Sequence, residues 1–184
     1  MANETFRPSI NGYSIRGLKT MLGTDGYITR CSLLKDGRKV GEYFDPADGG
    51  PYDFTPSKGI ARDDIERQIA SFPRIHRDYG FDLPDIDWDI GILVDELVNL
   101  GDRLKAYRKA KDRGFHLATI DVWKSGQHYM ADVPIGFADH KAKEGIAAVM
   151  GRQLGKEADL EITIYRSESD FTIILKEAPN EMER

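Results

Sequence analysis

Ser14–Phe54, SIRGLKTMLGTDGYITRCSLLKDGRKVGEYFDPADGGPYDF, decides how the fold begins. Its first part alternates. Ile15, Gly17, Lys19 and Met21 are expected on one face of a strand, with Arg16, Leu18, Thr20 and Leu22 on the other. Gly23-Thr24-Asp25-Gly26 interrupts the run, because glycine accepts backbone angles that other residues resist. Tyr27–Leu34 is a second run of strand formers, and Asp36-Gly37 follows. A two-residue type I′ turn needs positive φ at both central positions, and Asp-Gly is among the best pairs for it. Lys39–Phe44 then returns as a third strand, giving a three-stranded meander. The stretch Asp45–Gly59, with three prolines and three glycines, reads as a loop.

Helical periodicity follows. Ile65, Ile69 and Phe72 recur at helical spacing until Pro73. From about Trp88 to Arg113, Ile90, Leu93, Val94, Leu97, Leu100, Leu104 and Tyr107 form one apolar stripe. Asp87 is the expected N-cap and Gly114 the residue just past the end. Phe115 opens a second β unit, in which Ala118, Ile120 and Val122 alternate with Thr119, Asp121 and Trp123. Ser125-Gly126 is the expected turn, and Tyr129, Ala131 and Val133 continue the apolar face. A third helix is expected over Asp139–Leu154, with Ala142, Ile146, Val149 and Met150 inward and Gly155 as its stop. Leu160–Tyr165 and Phe171–Leu175 read as a last hairpin joined by a polar turn. Strands arriving in pairs rather than singly predict the α+β class: an antiparallel sheet built from hairpins, with about three helices packed on one side.

The length of 184 residues suits one domain, with residues 9–55 and 87–176 as two small lobes joined by 56–86. A formal net charge of −5 argues against a protein that coats DNA or anionic membrane by bulk charge. The single cysteine, Cys31, excludes a disulfide framework and a thiolate zinc site within one chain, and it reads as a strand residue. The N-terminal residues lack the apolar run of a signal peptide, and no apolar stretch approaches the ~20 residues of a membrane helix. A cytoplasmic protein with no membrane contact is the expectation.

Candidate chemistry is sparse. Asp45, Asp48 and Asp53 surround Gly49-Gly50, where carboxylates on a glycine loop suit a hard cation. The spacing is not that of an EF-hand, and Asp and Gly are also what turns are made of, so no metal is expected. Tyr43 and Tyr52 flank this loop and would serve as aromatic anchors of a contact surface. On the second hairpin, Thr119, Asp121 and Trp123 would lie opposite Asp132, Met130 and His128. That face gathers a His and two carboxylates, the company a general base needs, so Asp121, His128 and Asp132 are the catalytic candidates. A solvated sheet face has the same composition, and Trp123 with Met130 also suits a face covered by another chain. His76, His116, His128 and His140 show no metal-ligand spacing, and phosphate-loop, dinucleotide-binding and Gly-x-Ser-x-Gly patterns are absent, so no cofactor is expected.

Charge is segregated along the long helix. Asp78–Gly101 holds seven acids, among them Asp82, Asp85, Asp87 and Asp89, and no Lys or Arg. Arg103–Arg113 holds six bases, including Arg103, Arg108 and Lys109, and one acid. Acid at a helix start and base at its end complement the helix dipole. The acidic end would also imitate nucleic-acid phosphates toward a DNA-binding partner, and the basic end would make a weak, salt-sensitive nucleic-acid contact.

The opening block resembles the N-terminal part of a loose group of small phage- and plasmid-borne bacterial proteins of unknown function. The matching residues are Gly23, Gly26, Leu33, Leu34, Asp36, Gly37, Val40, Asp45, Gly49, Gly50 and Tyr52, and the likeness ends after Phe54. The resemblance implies mobile-element origin and carries no catalytic residues. Together these readings predict a non-enzymatic module that binds a host or defence protein, with inhibition of that protein and self-association both compatible with the sequence. The alternatives are a small nuclease or hydrolase using Asp121, His128 and Asp132, and a weak nucleic-acid binder.

Overall fold

The computed structural model describes residues 6–23, 25–73, 87–122, 127–154 and 160–175. They form strands β1 (Ser9–Ile10), β2 (Tyr13–Leu22), β3 (Tyr27–Lys35), β4 (Arg38–Asp45), β5 (Asp53–Pro56), β6 (Phe115–Val122), β7 (Gln127–Pro134), β8 (Leu160–Tyr165) and β9 (Thr172–Ile173). Helices are α1 (Arg62–Ala70), α2 (Ile90–Asp112) and α3 (Asp139–Leu154), with a 3-10 turn at Glu168–Phe171. The antiparallel α+β class is observed, in two sheets: β5-β4-β3-β2-β1-β9 and β7-β6-β8. Among the described residues, no helix is long and apolar enough to cross a membrane.

The chain divides into two compact units. The first takes in Met1–Arg74, Asp87–Gly101 and Phe171–Arg184, and the second Ile75–Ile86 and Asp102–Asp170.

In the first unit the meander forms as its turns dictate. Asp36 and Gly37 take φ of 49° and 77°, and the pair Lys35↔Arg38 closes the two-residue turn. The simple alternation of β2 does not hold. Arg16 pairs with Ser32 but Lys19 pairs with Arg30, so a bulge intervenes, and Gly17 within it takes φ of 66°. Arg16 and Lys19 therefore share the outer face, while Ile15 pairs with Leu33 on the inner one. The inner face carries Cys31, Leu33, Tyr43 and Phe54, all buried. Ile65 and Ile69 of α1, and Ile90, Leu93, Val94 and Leu97 of α2, add buried apolar side chains to the same core. An aromatic chain runs from Tyr13 to Phe72 to Trp88, edge to face, with centroids 6.1 and 5.7 Å apart. Both polar ends are satisfied, since Tyr13 donates to Gln68 (2.9 Å) and the Trp88 indole donates to the Pro73 carbonyl (2.7 Å).

Three further features of this unit differ from what the sequence predicts. Asp53–Pro56 is a strand, pairing with Gly41–Phe44, because Phe54 opposite Tyr43 supplies a buried anchor within the proline-rich loop. α2 begins at Ile90 with Asp89 as its cap, whose Oδ1 accepts from the Ile92 amide at 2.7 Å, rather than Asp87. The last strand leaves the expected hairpin. β9 pairs parallel with β1, and Asn11 fixes it by donating from its amide to the Ile173 carbonyl (2.8 Å) and accepting from the Leu175 amide (2.9 Å).

In the second unit β6 is the middle strand, pairing with β7 and β8. Ala118, Ile120, Val122, Ala131, Val133, Ile162 and Ile164 share one face with Ala142, Ile146 and Met150 of α3. Val149, expected inward, is exposed, and Gly155 lies outside the described residues. The second half of α2 meets the opposite face. Tyr107 donates to the Arg166 carbonyl (2.8 Å), and Arg103 donates to the Tyr165 hydroxyl (3.4 Å). This sheet therefore carries a helix on each face rather than on one. Gly114, with φ of 85°, ends α2 as expected.

Candidate functional site

The Asp45–Asp53 loop is built of turns. Asp45 Oδ1 accepts from the Ala47 amide (2.8 Å) and Asp48 Oδ1 from the Gly50 amide (3.0 Å), so one oxygen of each carboxylate holds the backbone of its own turn. Asp53 stands exposed on β5 opposite Phe44. No group of three or more metal-ligating side chains that could hold an ion occurs among the described residues. Of the two tyrosines expected here as aromatic anchors, one is buried and one half-buried. Tyr43 is 2% exposed, and its ring lies 5.2 Å from that of half-buried Tyr52. Burial, reinforced by Asp95, pushes the Tyr43 hydroxyl well above the ordinary tyrosine range. Tyr52 rests on Gly91, where an added Cβ would come within 2.9 Å of its ring.

Exposed apolar surface lies elsewhere on the meander. At the far end of the β2–β3 hairpin, Met21, Leu22 and Tyr27 are 65%, 74% and 67% exposed. Leu22 pairs with Tyr27 and Met21 with Ile28, so the two faces of this hairpin end are both apolar. Phe44, also exposed, sits on the same outer face as Met21 and Ile28, opposite Arg30. Arg30 in turn faces Lys19, which sets two like charges directly across the ladder. The signal for this surface lay in Met21-Leu22 and Tyr27-Ile28. Adjacent apolar residues on a strand point to both faces, and one of the two must then lie outside a one-sided core.

In the second unit the structure unites part of the catalytic candidate set. His128 Nδ1 lies 2.7 Å from Asp121 Oδ1, the two residues standing directly opposite on β7 and β6. The register is two residues away from that expected, with Thr119 opposite Met130 and Asp121 opposite His128, which leaves the same side chains on the same face. Arg103 approaches Asp121 at 3.5 Å. Thr119, on the same face of β6, is wholly buried, and its hydroxyl has no hydrogen-bond partner among the described residues. Asp132 does not join the group. It pairs across the ladder with Leu117 and binds Arg113. Trp123 lies outside the described residues.

The basic half of α2 is largely engaged with the unit's own acids. Arg103 meets Asp121, Lys105 binds Asp102 at 2.8 Å, Arg108 binds Glu168 at 2.7 Å, and Arg113 binds Asp132. The Arg108 guanidinium holds the Glu168 carboxyl below its usual range. Lys111 stands 5.9 Å over the Tyr107 ring, and Lys109 is exposed. Four of the six cations thus face carboxylates, which lowers the charge offered to a phosphate backbone. Of the acidic stretch, Asp89 caps α2, Asp87 is exposed, and Asp82 and Asp85 lie outside the described residues.

One arginine escaped the sequence reading. Arg166 donates to Asp139 at the start of α3 (2.8 Å from Nε) and to the Phe137 carbonyl (2.8 Å), tying β8 to that helix. Its own amide and that of Ser167 donate to Asp170 at 2.6 and 2.9 Å. Burial pushes the Asp170 carboxyl up, and these amides, with the Ser167 hydroxyl and the Arg166 charge, outweigh it and hold the group below its usual range.

No protein-family model, curated protein or solved structure matches this chain.

Proposed function

We propose that the chain is a protein-binding module whose contact surface is the far end of the β2–β3 hairpin. The observation that supports this reading is the joint exposure of Met21, Leu22 and its cross-strand partner Tyr27, with Phe44 exposed on the outer face. Apolar surface of this kind gains about 25 cal/mol for each Å² removed from water, and clustered side chains of this type mark contact sites. Tyrosine is favoured at the energetic centres of interfaces. Lys19 and Arg30, directly opposed, would be relieved by a carboxylate on the partner. The partner class, a host or defence protein in the cytoplasm that the module inhibits, rests on the likeness of Ser14–Phe54 to phage- and plasmid-borne proteins. The test is affinity capture from host lysate with the wild type and with a Leu22→Ser/Tyr27→Ser double variant. A protein retained by the first and lost by the second supports the reading. Equal retention, or none by either, overturns it.

The 2.7 Å contact between Asp121 and His128 favours a second reading, a small nuclease or hydrolase. Asp121 would orient the imidazole through Nδ1, leaving Nε2 to take a proton from water or an attacking hydroxyl. Hydrolysis of phosphodiester or ester substrates by the wild type, lost in His128→Ala, would establish it. Inactivity of the wild type across both classes removes it.

A further inference from the structure

The second unit carries a groove beside a sheet edge, independent of the hairpin reading. A groove of about 670 Å³ runs between α3 and β8, lined by Asp139, Lys143, Glu144 and Ala147 of the helix and by Leu160–Ile164 of the strand. Among the described residues β8 is an edge strand, pairing with β6 on one side. An edge presents a row of backbone donors and acceptors, and what satisfies such a row is another extended strand. Natural edges are commonly guarded by proline, lysine or a bulge. Leu160–Ile164 contains neither residue, and its register with β6 runs without a shift from Leu160 to Tyr165.

We propose that the occupant is a second copy of this chain, with β8 pairing antiparallel to its own counterpart about Ile162. The strand sequence Leu-Glu-Ile-Thr-Ile is self-complementary in that arrangement. Ile162 meets Ile162, Leu160 meets Ile164, and Glu161 meets Thr163, so apolar residues match on the α3 side and no like charges are opposed. The helical wall of the groove carries both signs, Lys143 beside Glu144, which is what a two-fold contact requires, since the same patch must complement itself. Asp139 is already held by Arg166 and Glu161 meets Thr163 in the strand pairing, which leaves Lys143 and Glu144 as the helical charges that face across. The two three-stranded sheets would become one continuous sheet of six.

The experiment is analytical ultracentrifugation of the full chain from low micromolar to a few hundred micromolar, with Ala147→Arg and Lys143→Glu beside the wild type. Ala147 is exposed within α3, and arginine is a good helix former, so circular dichroism should show an unchanged fold while the side chain fills the groove. The expected result is a wild-type species of twice the 20.8 kDa chain, monomeric Ala147→Arg, and at least a tenfold weaker dimer for Lys143→Glu, in which both charges across the two-fold become acidic. A monomeric wild type over the whole range overturns the proposal, as does a dimer of undiminished strength in Lys143→Glu. The Leu22→Ser/Tyr27→Ser variant should still dimerise. Its dissociation would place self-association on the hairpin and overturn the groove.

Discussion

Arg113 Nη2 contacts both carboxylate oxygens of Asp132, at 2.8 and 2.7 Å, and so binds the end of α2 to β7. The contact withdraws Asp132 from the Asp121–His128 pair. The ladder partners of Asp132 and His128, which are Leu117 and Asp121, lie four residues apart on β6, or roughly 13 Å at ~3.3 Å per residue. It also withdraws a cation from the basic end of the helix. Both partners are substantially exposed, so the pair contributes at most about 1 kcal/mol. Arg113→Ala should lower stability by no more than that in a urea titration. Asp132→Asn should leave any hydrolysis dependent on His128 unchanged, and loss of activity would return Asp132 to the catalytic group.

Gly41 is enforced by packing rather than by backbone angle. A Cβ there would lie 2.2 Å from Phe54 Cζ and 2.9 Å from the Thr55 carbonyl oxygen. Phe54 is buried and the carbonyl belongs to the paired strand, so neither yields cheaply. Gly41→Ala should cost about 1–3 kcal/mol, the ordinary penalty of overpacking, read as a lower denaturation midpoint. An unchanged midpoint would mean that β5 is not held against β4 as described.

Thr119 carries a buried hydroxyl with no partner among the described residues. An unsatisfied polar group of this kind costs roughly 1–3 kcal/mol. Thr119→Val keeps the shape and removes the cost, so stability should rise by about 1 kcal/mol. A fall in the midpoint would show that the hydroxyl is hydrogen-bonded in solution.

Alkaline pH should destabilise the fold. Burial, with Glu42 adding to it, pushes the Cys31 thiol up to about 12 from an ordinary 9.0. Tyr13, Tyr43 and Tyr52 are raised as well, chiefly by burial. In each case the folded state favours the neutral form. The stabilisation is fully present below the unfolded value and is lost as pH rises toward the folded one. For Cys31 that window is about pH 9 to 12. Thermal midpoints should therefore fall across it, less steeply in Cys31→Ala. At pH 8 the native thiol should resist a disulfide reagent until the protein is unfolded, and rapid labelling of the native state would contradict its burial.

Much of the local structure was legible. Asp36-Gly37 took the left-handed angles its turn demands, Gly114 ended α2, and α3 spans the residues its periodicity marked. The site was less legible. Asp121 and His128 were placed on one face by alternation alone, and a two-residue change of register left that placement intact while altering who faces whom. Tyr43 and Tyr52 looked like surface anchors because their loop is polar, yet Phe54 and Gly91 on either side of them belong to the buried interior of the first unit.

What the sequence determined by itself is what short-range sterics determine: turns, caps, helical stripes and strand alternation, each a matter of φ, ψ and neighbours a few residues away. What the tertiary structure decided is partnership. Leu175 is held by Asn11 across 164 residues, so β9 pairs with β1 rather than folding back on β8. Among the described residues that same departure leaves β8 at the edge of its sheet. Phe171, wholly buried, belongs to the first unit, while Arg166 is tied by hydrogen bonds to Asp139 and the Phe137 carbonyl in the second, so the two ends of the polar turn are held by different partners, which local sequence does not specify.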